Sequence, residues 1–197
     1  GGIGSAVFFA LEGNHTLGRN ESRPARLLDV RDYCKLHIIS HYVAVLLGAQ
    51  PAGLPFHVAP VGLVGDDAVG QRLRQEMQAA GMDVRFVGTR RDLPTLFGAC
   101  FQYPDGSGGN LTAVNCAAHA LAAADVDRAE PLLAAHAGRA IALAAPEVTL
   151  AVHSRLLALA TRHSALRVAA LTSAEMRPAL EMGLMQRFIL YLGHPTY

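Results

Sequence analysis

One stretch limits the folds open to this chain more than any other. Val58-Ala59-Pro60-Val61-Gly62-Leu63-Val64 is an apolar run of strand length, and Gly65-Asp66-Asp67 ends it. From Ala68 to Ala80, Val69, Leu73, Met77 and Ala80 recur at helical steps, while Gln71, Arg72, Arg74, Gln75 and Gln78 fall off that stripe. An Asp just before the first apolar position suits an N-cap: its carboxylate accepts from open N–H groups and meets the positive end of the helix. Gly65 permits a tight exit from the strand, and Gly70 lets the helix lie close to a neighbouring backbone. Gly81 supplies a left-handed stop, and Val84-Arg85-Phe86-Val87 reads as the next strand. Strand, helix and strand in succession are the unit of a parallel α/β sheet. Asp66 and Asp67 as a metal site is the alternative reading of the same residues.

The alternation continues. Ala140 to Ala145, Arg167 to Leu171 and Arg187 to Leu192 read as strands, and Thr149 to His163 and Ser173 to Gly183 as helices. Ala117 to Ala137 is alanine-rich and helical in parts, with Pro131 near a helix start. Earlier, Cys34 to Gly48 reads as a helix on Leu36, Ile39, Val43, Leu46 and Leu47. Gly1 to Leu11 suggests the end of a buried strand, then a turn and another strand. Residues 12–32 are too polar for a core and read as loop or exposed strands. Thr95 to Tyr103, a turn at 104–110 and Leu111 to Val114 form a hairpin set apart from the main sheet.

At 197 residues the chain has room for about one domain. Its net charge of +1 argues against a nucleic-acid binder that relies on a basic field. Charged residues make up 17% and hydrophobic ones 51%, against about 25% charged in an average soluble domain. An apolar excess of this kind fits a domain cut from a larger sheet. The apolar runs are too short for a membrane span. Cys34, Cys100 and Cys116 are odd in number and widely spaced, which fits thiols in a reducing, cytoplasmic compartment.

Gly-Asp-Asp-x-x-Gly, a helix, then Gly81-Met82-Asp83-Val84 resembles the ribokinase-like (PfkB) sugar kinase family. Other stretches agree in order: Gly1-Gly2-Ile3-Gly4-Ser5 with the first strand end, 94–110 with the lid hairpin, 115–126 with an Asn followed by an acidic-capped helix, and Ala144-Ala145-Pro146-Glu147 with a strand end that carries an acidic residue near substrate. The resemblance covers nearly the whole chain but only the N-terminal portion of such a kinase. It implies a three-layer α/β fold with a mostly parallel central sheet, flanking helices and a small β lid, built as a single incomplete domain over 1–197 with lid segments at about 5–32 and 95–114. It also implies transfer of a phosphoryl group from ATP, with Mg²⁺, to a hydroxyl of a sugar or polyol, and a homodimer paired through the lid.

The departures matter as much. Tyr33-Cys34-Lys35-Leu36-His37 stands where the family opens its long helix with Gly-Gly and an Asn, which puts ribose- or fructose-type contacts in doubt. The Asn-x-x-Glu motif is not seen near Leu190, where the chain reads Gly193-His194-Pro195-Thr196-Tyr197. The Gly-Ala-Gly-Asp signature, with its general base, is absent, and no GxxxxGK[ST] replaces it. The expectation is therefore a substrate-binding and lid portion without kinase activity of its own, its nucleotide site and catalytic residues lying outside this chain. The substrate-binding candidates that the resemblance carries are Ser5, Glu12, Asn14, Lys35 and Glu147, with Phe97 and Phe101 in the lid. Each has a plainer reading: Lys35 as an exposed helix start, Glu147 as a helix cap. His37 and His41, four apart, have metal-compatible spacing without a third ligand, and helix packing or a solvated face is the favoured reading. Two rival readings stay open, a non-catalytic α/β ligand-binding or interaction module and a Rossmann-type oxidoreductase fragment.

Overall fold

A computed structural model describes residues 1–49, 56–188 and 190–193; the side chains of Asp32 and of 190–193 are left out of account. The elements are β1 (Gly4–Leu11), β2 (Ala25–Tyr33), α1 (Lys35–Leu47), β3 (Gly62–Gly65), α2 (Ala68–Ala79), β4 (Val87–Arg90), β5 (Leu96–Gln102), β6 (Gly108–Thr112), α3 (Ala123–Asp127), α4 (Glu130–Ala135), β7 (Ile141–Ala144), α5 (Leu150–Arg162), β8 (Leu166–Leu171), α6 (Ser173–Glu181) and β9 (Leu190–Gly193). Strands β3 and β4 pair in parallel, as do β7, β8 and β9 in that order. The Gly1 nitrogen donates to the Val61 carbonyl at 3.2 Å, and Gly2 N–H to the Pro146 carbonyl at 2.9 Å. These bonds lay the first residues between the parallel β3–β4 pair and the parallel β7-β8-β9 sheet.

Adjacent residues of β3 show that this strand is covered on both sides. Val64 packs into a cluster with Ile3, Leu36, Leu73, Met77 and Val87, which seats α1 and α2. Leu63 points the other way, into Ala117, Leu121, Val126, Val152 and Leu159, which seats α3 and α5. A strand buried on both faces reads as a continuous apolar run, as 61–64 does. A third cluster, Leu157, Leu171, Ala179 and Leu184, holds α6.

Beyond Gly4 the first strand parts from these parallel strands. It continues to Leu11 as the centre of a second sheet in the order β2-β1-β5-β6. Here β1 runs parallel to β5, while β2 and β6 are antiparallel to their neighbours. This is the β lid.

Several boundaries differ from the sequence expectation. Residues 1–11 hold no turn; one strand serves both sheets. The polar stretch 12–32, expected as loop or exposed strands, supplies most of strand β2, which runs on to Tyr33. The return strand of the hairpin begins at Gly108 rather than Leu111, because the 103–107 turn closes early through Tyr103 N–H to the Ser107 carbonyl. Val84–Phe86 is a 3-10 turn and the strand begins at Val87, since the Asp83 carboxylate accepts from Arg85 N–H and caps a turn instead. Of the 58–64 run only Gly62–Val64 joins the ladder, which ends at Gly65. The remaining helices and strands fall within a few residues of expectation. Ile189, inside the expected last strand, and 194–197 lie outside the described residues.

Gly70 shows how tightly α2 is seated. A Cβ there would lie 2.4 Å from the Gly65 carbonyl and 2.7 Å from Thr95 Oγ1. Replacing Gly70 by alanine is expected to destabilise the protein by about 2–3 kcal/mol, the overpacking cost, despite alanine's better helix propensity. Urea unfolding measures it; an unchanged midpoint would refute the tight seat.

Candidate functional site: the crevice beneath the lid

Open α/β sheets bind ligands outside the carboxyl ends of their strands. Here that edge is formed by Ser5, Gly65, Arg90, Glu147 and Thr172. Asp67 organises one side of it. Its Oδ1 accepts from Gly70 N–H at 2.7 Å and from the Thr95 hydroxyl at 2.7 Å, and its Oδ2 accepts from Thr95 N–H at 2.7 Å. Thr95 Oγ1 in turn accepts from Gly65 N–H at 2.9 Å. Partial burial pushes the Asp67 carboxyl up, but the donors from Thr95 and Gly70 outweigh it and hold the pKa below the usual carboxylate value. The sequence identified the N-cap; the structure adds that the cap clamps the root of lid strand β5. A cavity of about 270 Å³ adjoins it, lined by Asp66, Asp67, Arg91, Asp92, Leu93 and Pro94.

Glu147 organises the other side. It follows β7 in the left-handed region, φ 70°, which non-glycine residues seldom adopt. Its Oε2 accepts from Lys35 N–H at 3.1 Å, at the start of α1. The N-cap residue Cys34 makes no side-chain cap, so Glu147 supplies this helix end with its acceptor across the crevice. Burial raises the Glu147 carboxyl, with the Lys35 charge and N–H working against the rise. Gly2 makes the approach possible: a Cβ there would stand 2.5 Å from that of Glu147. Behind it His153, buried in α5, bonds the Ala145 carbonyl through Nε2 at 2.8 Å.

The candidates from the sequence divide. Lys35 and Glu147 meet. Ser5 and Phe97 are partners in the β1–β5 register at the root of the lid. The Ser5 hydroxyl is buried and accepts from Arg72 Nη2 at 2.9 Å, while Arg72 Nη1 also donates to Glu76. Phe101 lies further out, paired with Phe9 and set edge-on to Tyr103. Glu12 and Asn14 lie past the end of β1, exposed. Asn14 Oδ1 accepts from Asp105 N–H at 3.1 Å, and Tyr103 OH accepts from Leu17 N–H at 2.9 Å, so this pair of contacts braces the lid tip. Arg72 and Thr95 were missed. Each acts through a partner distant in sequence, and neither belongs to a local pattern.

His37 is fully buried, its ring 4.1 Å from that of Tyr33 and 5.6 Å from that of His41. Among the described residues no group of three His, Cys, Asp or Glu side chains is placed to hold a metal ion, and the His37 and His41 rings lie against Tyr33. The two acidic residues of Gly65-Asp66-Asp67 likewise form no such group.

No protein-family model matches the chain, and no curated protein sequence does. Solved structures do. A ribokinase II from E. coli in complex with ATP and Mg²⁺ matches with a TM-score of 0.65 at 15% identity, over 98% of this chain and 60% of that one. A ribokinase from Cryptococcus neoformans var. grubii serotype A in complex with ADP gives 0.66 at 20% identity, over 90% and 52%. An Arabidopsis thaliana ribokinase complexed with ribose and ATP gives 0.57 at 14% identity, over 86% and 51%. The chain thus has the ribokinase-like α/β fold, and it spans between about half and three fifths of the length of these structures. The described residues hold neither a Gly-Ala-Gly-Asp sequence nor a group of three metal-ligating side chains. Among the described residues no helix is long and apolar enough to cross a membrane.

Proposed function

We propose that this chain is the acceptor-binding and lid portion of an ATP-dependent, cytoplasmic sugar kinase. The observation that carries this reading is the Glu147 carboxylate bonded to the start of α1. Glu147 and the start of α1 face each other at the carboxyl ends of the strands, beneath a β lid whose root is clamped by Asp67 and Arg72. A carboxylate beside open helix N–H groups suits a polyol, which both donates and accepts hydrogen bonds. In this reading Lys35 and Glu147 hold substrate hydroxyls, Phe97 closes over them from the lid, and the contacts to ATP and Mg²⁺ come from outside these residues. Solved neighbours named as complexes with ATP and with ribose support it. So does the exposed apolar face of α1, Tyr42, Val45, Leu46 and Leu47, a surface that further layers of a longer protein would bury.

The test is a thermal-shift series on the 197-residue chain with ribose, fructose, myo-inositol and adenosine. One class should raise the melting temperature, and Glu147→Gln should weaken that ligand about 10–100-fold, the loss of a charged hydrogen bond. A shift with none of them, or binding of a reduced nicotinamide instead, would overturn the reading. The lid also presents Leu27, Leu28, Val30 and Leu111 to solvent. We infer a homodimer through this sheet; Leu111→Glu should leave a monomer in sedimentation, and an unchanged mass would count against lid pairing.

A further inference from the structure

We propose that His153 is a positioning residue for the candidate site: its ring holds the turn that presents Glu147 to the crevice. The assignment rests on the reading of Glu147 as the carboxylate that meets substrate, but its test needs no sugar. Strand β7 ends its pairing at Ala144, opposite Ala169 on β8. Ala145 is fully buried and lies one step past that ladder. A buried carbonyl there must find a donor outside the sheet. Pro146, which follows, has no N–H, and Glu147 then turns the chain at φ 70°. A residue with a side chain keeps such a conformation only where its surroundings fix it. Two contacts fix this one. The Gly2 N–H donates to the Pro146 carbonyl at 2.9 Å, and His153 Nε2 bonds the Ala145 carbonyl at 2.8 Å. Both carbonyls before Glu147 are thus held.

A carbonyl oxygen only accepts, so the proton of the neutral ring sits on Nε2 and Nδ1 carries a bare lone pair. Among the described residues Nδ1 is buried without a hydrogen-bond partner. Desolvation lowers the ring's pKa against the bond to Ala145, which keeps it in this neutral form. Its seat on α5 is packed on both sides: Val152 joins the cluster of Leu63 and Leu159, and Leu157, one turn on, joins that of Leu171 and Leu184. A side chain locked on a packed helix positions its partner more closely than one on a loop. Gly2 sets a second limit, since a Cβ on it would stand 2.7 Å from Glu147 Oε2. Within these limits that oxygen reaches Lys35 N–H at 3.1 Å. The charged groups that face Glu147 are Lys35, the Gly1 amino group and Glu175, and the last two also face His153. His153 acts through the backbone of 145–147, not on substrate.

The test compares His153→Gln, whose amide can still donate to the Ala145 carbonyl, with His153→Leu, which cannot, by NMR on the 197-residue chain. In the unmodified protein the ring nitrogen shifts should place the proton on Nε2. In His153→Leu the Glu147 carboxyl should titrate closer to the ordinary 4.5 as it leaves its desolvated seat. Hydrogen exchange of Lys35 N–H should quicken about 10–100-fold, the loss of one charged hydrogen bond. His153→Gln should keep both. Asp67 and the Gly70 N–H bonded to it are the controls: a variant that merely loosens the fold moves them as well, whereas lost positioning leaves them unchanged. A ring protonated on Nδ1, a folded His153→Leu with Glu147 and Lys35 unmoved, or all four probes shifting together would each overturn the proposal. Should His153→Leu not fold, His153→Gln decides alone: a folded variant that keeps the Glu147 titration sustains the proposal, and one that loses it overturns it. No readout involves a ligand, so failure here and failure of the sugar series are separate results.

Discussion

Replacing Asp67 by alanine is expected to cost about 3–5 kcal/mol in unfolding free energy, measured by urea titration at pH 7. One carboxylate answers three donors: Gly70 N–H, Thr95 N–H and the Thr95 hydroxyl. Removing it strands backbone groups in a half-buried place, and each orphaned donor costs about 1–3 kcal/mol. The loss exceeds that of an ordinary N-cap, typically about 1 kcal/mol. Thr95→Val, which keeps the backbone donor and removes the hydroxyl, should cost less. A loss no larger than an isolated cap would show that the bond to the lid root adds nothing.

Acid should destabilise the protein well above the carboxylate range. Burial, and then the charge of His41, pull the His37 pKa down from 6.5 to about 4. The folded state therefore refuses a proton that the unfolded chain accepts between pH 6.5 and 4, and stability falls as pH falls through that window. From pH 7 to 4.5 the loss from this side chain is about 2–3 kcal/mol. Buried His153 adds to it in the same direction. Glu147, its pKa raised, works the other way, losing stability as pH rises through its folded value. Because neither ring nitrogen of His37 has a hydrogen-bond partner among the described residues, His37→Leu should fold and flatten the pH dependence by that amount. Unfolding curves of the two proteins that stay parallel from pH 7 to 4.5 would assign the acid loss elsewhere.

The legible parts of the fold were the local ones. The stripe Val69, Leu73, Met77 announces α2 because every third or fourth side chain of an amphipathic helix meets the core. The 61–64 run announces a buried strand for a related reason. The lid was harder to bound. Its strands carry mixed sequences: β2 reads ARLLDVRDY, with charges among exposed apolar residues, since no core lies on one side to impose alternation. Val84–Phe86 misled because a strand-like run is overruled by one aspartate bonding the next turn. In the crevice, Glu147 was legible as an acidic residue at a strand end, whereas its bond to Lys35 spans more than half the chain and leaves no local trace.

The cross-braces at the lid tip have a mechanical consequence. With Asn14 tied to Asp105 and Leu17 to Tyr103, the two distal turns cannot slide past each other, so the four strands behave as one plate. Turned about its root, such a plate would move as a single blade. The seven residues of β5 give a lever of about 23 Å, on which a rotation of about 10° carries the blade roughly 4 Å. Small changes at Ser5 and Thr95 are thereby magnified at the far end of the lid.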